Sequence, residues 1–136
     1  MGLSKNSVTY LATRDETNQL HDPKFGNRVK LTLSTGISVV TDETAPEVRT
    51  TGNTICYLTG KLTIASGAIT DMPLLKFPSD KLPHNVGQIV AVKESSGGAK
   101  SVVSLSITSD SLLLNGTAPT VGDVIHLDGT FYIARL

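Results

Sequence analysis

Three histidines, one cysteine and a scatter of carboxylates are the residues of this 136-residue chain that could do chemistry. His21, His84 and His126 stand far apart and in no metal-ligand spacing. His126 and Asp128 are two apart at a strand end and could share a face, but a lone His-x-Asp at a turn reads as a surface histidine. No metal is expected. Cys56 is a single cysteine in an apolar stretch, which excludes an internal disulfide framework and reads as a buried inert thiol.

Covalent and acid–base catalysis find no better footing. Serines are many, but no G-x-S-x-G elbow occurs. Gly52 and Gly60-Lys61 have the wrong spacing for a phosphate loop, and Gly97-Gly98 lacks a following helix. Asp42, Glu43 and Glu47 fall in one polar loop, and Asp71, Asp80 and Asp123 in others. Paired loop acids could serve a glycosidase, yet such clefts are commonly lined by aromatic platforms. This chain has no Trp, three Tyr and three Phe. Asn115-Gly116-Thr117 is a formal glycosylation sequon that reads as a turn. The chain is therefore expected to be no enzyme, with no catalytic residue and no cofactor.

The totals narrow the partners. Twelve basic residues balance twelve acidic ones, six of each sign in 1–50 and six of each in 51–136. With no basic stripe to track phosphates, nucleic acid is not an expected partner. No run approaches the roughly 20 apolar residues of a membrane span, and the first residues lack the apolar core of a secretory signal. Membrane insertion is not expected. A neutral surface suits a protein that lives inside an assembly.

The elements that must position these residues are strands. Thr, Ser, Val, Ile, Gly and Leu dominate, a composition that favours sheet over helix. Residues 54–64 alternate most clearly. Cys56, Leu58, Gly60, Leu62 and Ile64 share one face; Ile55, Tyr57, Thr59, Lys61 and Thr63 share a more polar one. Gly60 in mid-strand predicts a bulge or a close approach of neighbouring backbone. Residues 72–77 carry Pro73 and precede Pro78, which predicts an edge or loop position. Asp128-Gly129 between 124–127 and 130–133 predicts a two-residue hairpin with a type I′ turn. The spacing predicts an all-β antiparallel sandwich, jelly-roll-like, of about eight short strands. Residues 30–136 form that head, and residues 1–29 an N-terminal arm, stalk or attachment segment.

One resemblance goes further. Arg49-Thr50-Thr51-Gly52-Asn53, Leu58-Thr59-Gly60, Leu82-Pro83 and Leu127-Asp128-Gly129-Thr130-Phe131-Tyr132 occur in an order and spacing that resembles the C-terminal head domains of bacteriophage tail fibres and receptor-binding proteins. It covers residues 30–136. It implies a β-sandwich head that forms homotrimers, contacts other virion proteins and binds saccharides of the host cell envelope. It places the protein in the virion after synthesis in the host cytoplasm. Family heads often present Trp at the sugar site; here the candidate platforms are Tyr57, Tyr132 and Phe77. No receptor-binding residue transfers by position, because the family's loops diverge most where ligand binds. The alternative is a structural virion piece, such as a head fibre, decoration protein or baseplate adaptor, that uses the same domain without a ligand site.

Overall fold

The computed structural model describes residues 28–41, 45–51 and 54–135. Twelve strands form, and no helix among the described residues. The segment assigned to an arm or stalk lies outside the described residues up to 27, but Val29 already belongs to the fold, paired with Val48.

A four-stranded antiparallel sheet has the order β1 (Val29–Lys30), β4 (Glu47–Thr51), β5 (Ile55–Thr59), β12 (Thr130–Ile133). The eight-stranded sheet starts with β2 (Thr32–Leu33), β7 (Met72–Lys76), β10 (Ser111–Leu114) and β9 (Lys100–Ile107). It continues with β8 (Gly87–Glu94), β11 (Val124–His126), β6 (Lys61–Ile64) and β3 (Ile37–Val39). Its two edges, β2 and β3, are consecutive in sequence and joined by a tight turn, so the sheet curls into a nearly closed barrel. The core between the layers is aliphatic: Leu58, Leu62, Leu74, Leu105, Leu112 and Leu127 are among its fully buried members.

The strand count exceeds the expected eight because extended runs are cut where they change sheets. Residues 55–64 form one such run, broken only at Gly60 between β5 and β6. Gly60 has φ +98°, and a Cβ there would lie 2.9 Å from the Cα of Pro46. Of the two expectations for this glycine, a bulge or a close approach of neighbouring backbone, the structure shows the close approach. The buried alternation runs straight through it, with Cys56, Leu58, Leu62 and Ile64 all in the core.

The expected 128–129 hairpin is not one. β11 pairs with β6 and β8 in the large sheet, while β12 pairs with β5 in the small one. Leu127 O accepts the Thr130 N–H at 3.1 Å, and of the two central residues only Gly129 has positive φ (+86°). That is the type II pattern, not type I′. Its twist splays the flanking strands instead of pairing them, which a chain leaving one sheet for another requires. The turn sits on the Gly60 bend: Gly60 N–H donates to Asp128 Oδ1 at 2.9 Å, and Leu127 N–H to Gly60 O at 2.9 Å. The two runs thus fold over together. Asp128→Ala should lower stability by about 1 kcal/mol, the worth of one backbone-to-carboxylate bond, read by urea denaturation; an unchanged midpoint would detach Asp128 from the bend.

Strand β7 corrects another expectation. It is flanked on both sides, by β2 and β10, and Leu74 and Leu75 are fully buried. Proline is tolerated because the register with β10 shifts between Leu112 and Leu113, the latter opposite Pro73. At a bulge the missing N–H costs no ladder bond, and the extra residue lets two successive leucines point inward.

Candidate functional site

The strands run between two ends of the molecule. At one end lie Arg28, where the described chain begins, the 84 and 133–135 segments, and the 108–110 turn. At the other lie the 34–36 turn, the 65–71 loop, the 115–116 turn and the 95–98 hairpin tip. Residues 28–34 cross from the first end to the second. At about 3.3 Å per extended residue they span roughly 20 Å.

The second end carries a groove of about 620 Å³ at the barrel seam, between the β2–β7 edge, the β2–β3 turn and the β6–β7 loop. Its apolar lining includes Leu33, Ile69, Met72 and Pro73; its hydroxyls include Thr32, Ser34, Thr35 and Ser66, and Lys76 brings an ammonium. The seam is pinned by backbone. Ser34 N–H donates to Leu74 O at 3.0 Å, and Ile37 N–H to Ser34 O at 3.1 Å. Gly36 O accepts from Ala65 N–H at 2.8 Å and from Ser66 N–H at 3.1 Å. The loop that completes the wall is clamped by Asp71, in a left-handed conformation (φ 52°) that Asp tolerates better than most residues. Its carboxylate accepts the Gly116 N–H at 2.7 Å and its own N–H reaches Gly116 O at 3.0 Å. A preformed groove of this volume, mostly apolar with convergent polar groups, is the form of a small-ligand site.

The aromatic residues divide between core and surface. Phe77 and Tyr132, both offered as platforms, are core: 5% and 3% exposed, with ring centroids 4.5 Å apart. Burial first, then the neighbouring Cys56 and Asp80, pushes the Tyr132 phenol upward from its ordinary value. Its hydroxyl donates to Lys81 O at 2.7 Å. Tyr57 is 37% exposed, on the outer face of the small sheet, and pairs with Phe131 (49% exposed) at 6.0 Å. Sequence reasoning missed Phe131, since four consecutive residues in Thr130-Phe131-Tyr132-Ile133 offer no polar alternation to phase the strand. The alternation is real: Thr130 and Tyr132 are buried, Phe131 and Ile133 exposed.

The residues considered for catalysis or metal binding are spread apart. His126 Nε2 lies 3.0 Å from Glu94 Oε1, while Asp128 is committed to Gly60. His84 is elsewhere, beside Ile133 and Arg135, and His21 lies outside the described residues. Glu47 is not in a loop but opens β4, opposite Lys30 and Thr59. Asp42 and Glu43 are not described. Asp123 is buried, accepting the Thr120 N–H at 2.9 Å with Lys93 Nζ at 3.6 Å. Asp80 lies 3.6 Å from Lys81. Among the described residues no three His, Cys, Asp or Glu gather as a metal site. Cys56 is fully buried, 3.8 Å from the Thr50 hydroxyl. Asn115, of the sequon, is held in a side-chain chain on the large sheet, donating to Ser104 Oγ at 2.8 Å and accepting from Ser106 Oγ.

The architecture has a solved counterpart. The receptor binding protein (gp15) of Listeria phage PSA matches with a TM-score of 0.60 and 20% sequence identity. This fold is similar to that of a phage receptor-binding protein. The match covers 81% of this chain and 66% of that one, so this chain spans just under two thirds of its neighbour's length. The resemblance read from motif order is thus met in the three-dimensional fold. No protein-family profile and no curated protein sequence matches.

Proposed function

We infer that the chain is a receptor-binding head of a bacteriophage virion, a homotrimeric tail-fibre tip that recognises a saccharide of the host cell envelope through the seam groove. The observation that carries this reading is a preformed groove at the end remote from Arg28, where the described chain begins, on a fold similar to a phage receptor binding protein. A tip must present its site away from its attachment. Here the described chain begins, at Arg28, at the opposite end.

The groove's chemistry suits a sugar. Thr32, Ser34, Thr35 and Ser66 offer hydroxyls that both donate and accept. Ile69, Met72 and Pro73 supply a surface for the ring's C–H face. Among the described residues no aromatic ring lines the groove, so each site is weak by itself, and three linked copies supply the avidity that one lacks. The head acts as a binding module in the virion. It transforms nothing, carries no cofactor, and needs neither nucleic acid nor membrane insertion.

Adsorption tests this. The full chain, fluorescently labelled, should bind susceptible bacteria at micromolar concentration, and Ser66→Trp, which fills the groove, should weaken binding tenfold or more. Undiminished binding by Ser66→Trp would remove the groove from the account. Binding to purified capsids and to no cell would favour the structural virion protein.

A further inference from the structure

The groove changes character along its length. Its loop end holds Ser34, Thr35, Ser66 and Ile69. Its other end lies where Thr32 of β2 faces Lys76, the last residue of β7. Met72, the first residue of β7, also lines it. Four extended steps of about 3.3 Å put Met72 and Lys76 roughly 13 Å apart, a span that takes more than one sugar ring.

At the far end of that span Lys76 stands in a row of hydroxyls. It lies directly opposite Thr32 on one side and Ser111 of β10 on the other. Directly opposed side chains share a face, their Cβ atoms about 4.5–5.5 Å apart. Thr32, Lys76 and Ser111 therefore project together from three neighbouring strands. Thr32 and Lys76 are exposed, and the Thr108 hydroxyl backs the row, 2.8 Å from that of Ser111. An ammonium flanked by two hydroxyls is a donor set that fits an oxyanion with several oxygens.

The protein supplies this ammonium with no counter-charge. None of the described residues lining the groove is acidic. The carboxylates that flank β7 are taken: Asp71 accepts the Gly116 N–H at 2.7 Å, and Asp80 lies 3.6 Å from Lys81. Asp110, before β10, meets the Thr108 hydroxyl at 3.5 Å. Lys81 and Lys93 each sit 3.6 Å from a carboxylate, whereas Lys76 has no ion pair among the described residues. A neutral sugar would cover this ammonium without pairing it; an acidic one supplies the missing partner.

We propose that the saccharide taken by this groove is acidic, its phosphate or carboxylate oxyanion seated on Thr32, Lys76 and Ser111 and its uncharged part against Ser66, Ile69 and Met72. The inference rests on the reading of the groove as the ligand site. It adds the ligand's charge and the direction in which the ligand lies.

Adsorption of the full chain to susceptible bacteria tests it through Lys76. Lys76→Met keeps an apolar stem and removes the charge. It should melt like wild type and bind about tenfold or more weakly, the fold-change of one charge-assisted bond. Lys76→Arg should restore most of the binding. Lys100→Met, the same charge change at an exposed position of β9, should bind like wild type. NaCl at about 1 M, where the screening length is about 3 Å, should weaken wild type and leave Lys76→Met little changed. Two treatments of the extracted envelope polymer, used as competitor, then name the oxyanion. Aqueous hydrofluoric acid cleaves phosphodiesters, and borohydride after carbodiimide activation reduces carboxylates to alcohols. Competition should be lost after one of them. Lys76→Met binding as tightly as wild type, while Ser66→Trp loses binding, would overturn the acidic assignment and leave the groove as the site. An equal loss in Lys100→Met, or competition that survives both treatments, would overturn it as well. Undiminished binding by both Lys76→Met and Ser66→Trp would sink the groove reading and this inference together.

Discussion

Gly36→Ala should be the most damaging single-methyl change in the described fold, lowering stability by about 3–5 kcal/mol. Gly36 closes the barrel seam with φ +85°, and a Cβ there would come within 2.3 Å of the Ser66 carbonyl oxygen. A left-handed conformation costs an L-residue roughly 1–2 kcal/mol. The clash is with backbone, which cannot rotate away, so the 65–66 segment must shift. That shift weakens the two hydrogen bonds held by Gly36 O, each worth about 1 kcal/mol. Against a total of about 5–15 kcal/mol for a domain, the loss is severe. Thermal melts should show a midpoint lower by about 10–20 °C. Because Gly36 also lines the groove, any folded fraction should bind cells poorly. Gly98→Ala is the control: it has positive φ (+91°) but open space around its Cβ, so it should cost only the conformational part. Equal melts for the two would refute the tight seam.

Tyr132 carries the second large effect. As a sugar platform it would tolerate truncation; as core it should not. Tyr132→Ala should cost about 3–5 kcal/mol, the range for removing a buried aromatic ring. Tyr132→Phe keeps the ring against Phe77 and loses the hydroxyl's bond to Lys81 O, about 1 kcal/mol. The phenol also sets an alkaline limit. In the unfolded chain it releases its proton near the ordinary value of about 10. Folded, burial keeps it protonated well above that. The unfolded state therefore binds fewer protons as pH rises, and its share of the stability, complete below about pH 10, falls by about 1.4 kcal/mol per unit above it. Denaturation midpoints between pH 9 and 11.5 should fall more steeply for wild type than for Tyr132→Phe. Parallel curves would mean that Tyr132 ionises freely in the fold.

The all-β class was readable because alternation is a local property. Residues 56, 58, 62 and 64 face the core as their period-two pattern predicts, and Gly60 marks the bend. What escaped the sequence depended on distant partners. Asp-Gly suits a type I′ hairpin locally, but the strands around it are claimed by β5 on one side and by β6 and β8 on the other. Its aspartate answers a backbone N–H 68 positions away. The bulge that admits Pro73 belongs to the pairing with β10, not to the proline. The groove was invisible for the same reason: residues 32–36, 66–73 and 76 read as edge and loop until the seam brings them together. Tyr57 was named as a candidate platform, but its cross-strand partner Phe131 needed the register of β5 with β12 to appear.

The central claim, that the groove is the ligand site, meets its most direct test in a residue-resolved titration. Oligosaccharides released from the envelope of a susceptible host would be added to the isotopically labelled full chain, and amide resonances followed by NMR. The account predicts saturable shifts confined to the groove, at Thr35, Ser66, Ile69 and Lys76, with Tyr57, Phe131 and Ile133 unmoved. Shifts centred on Tyr57 and Phe131 instead, with a silent groove, would contradict it.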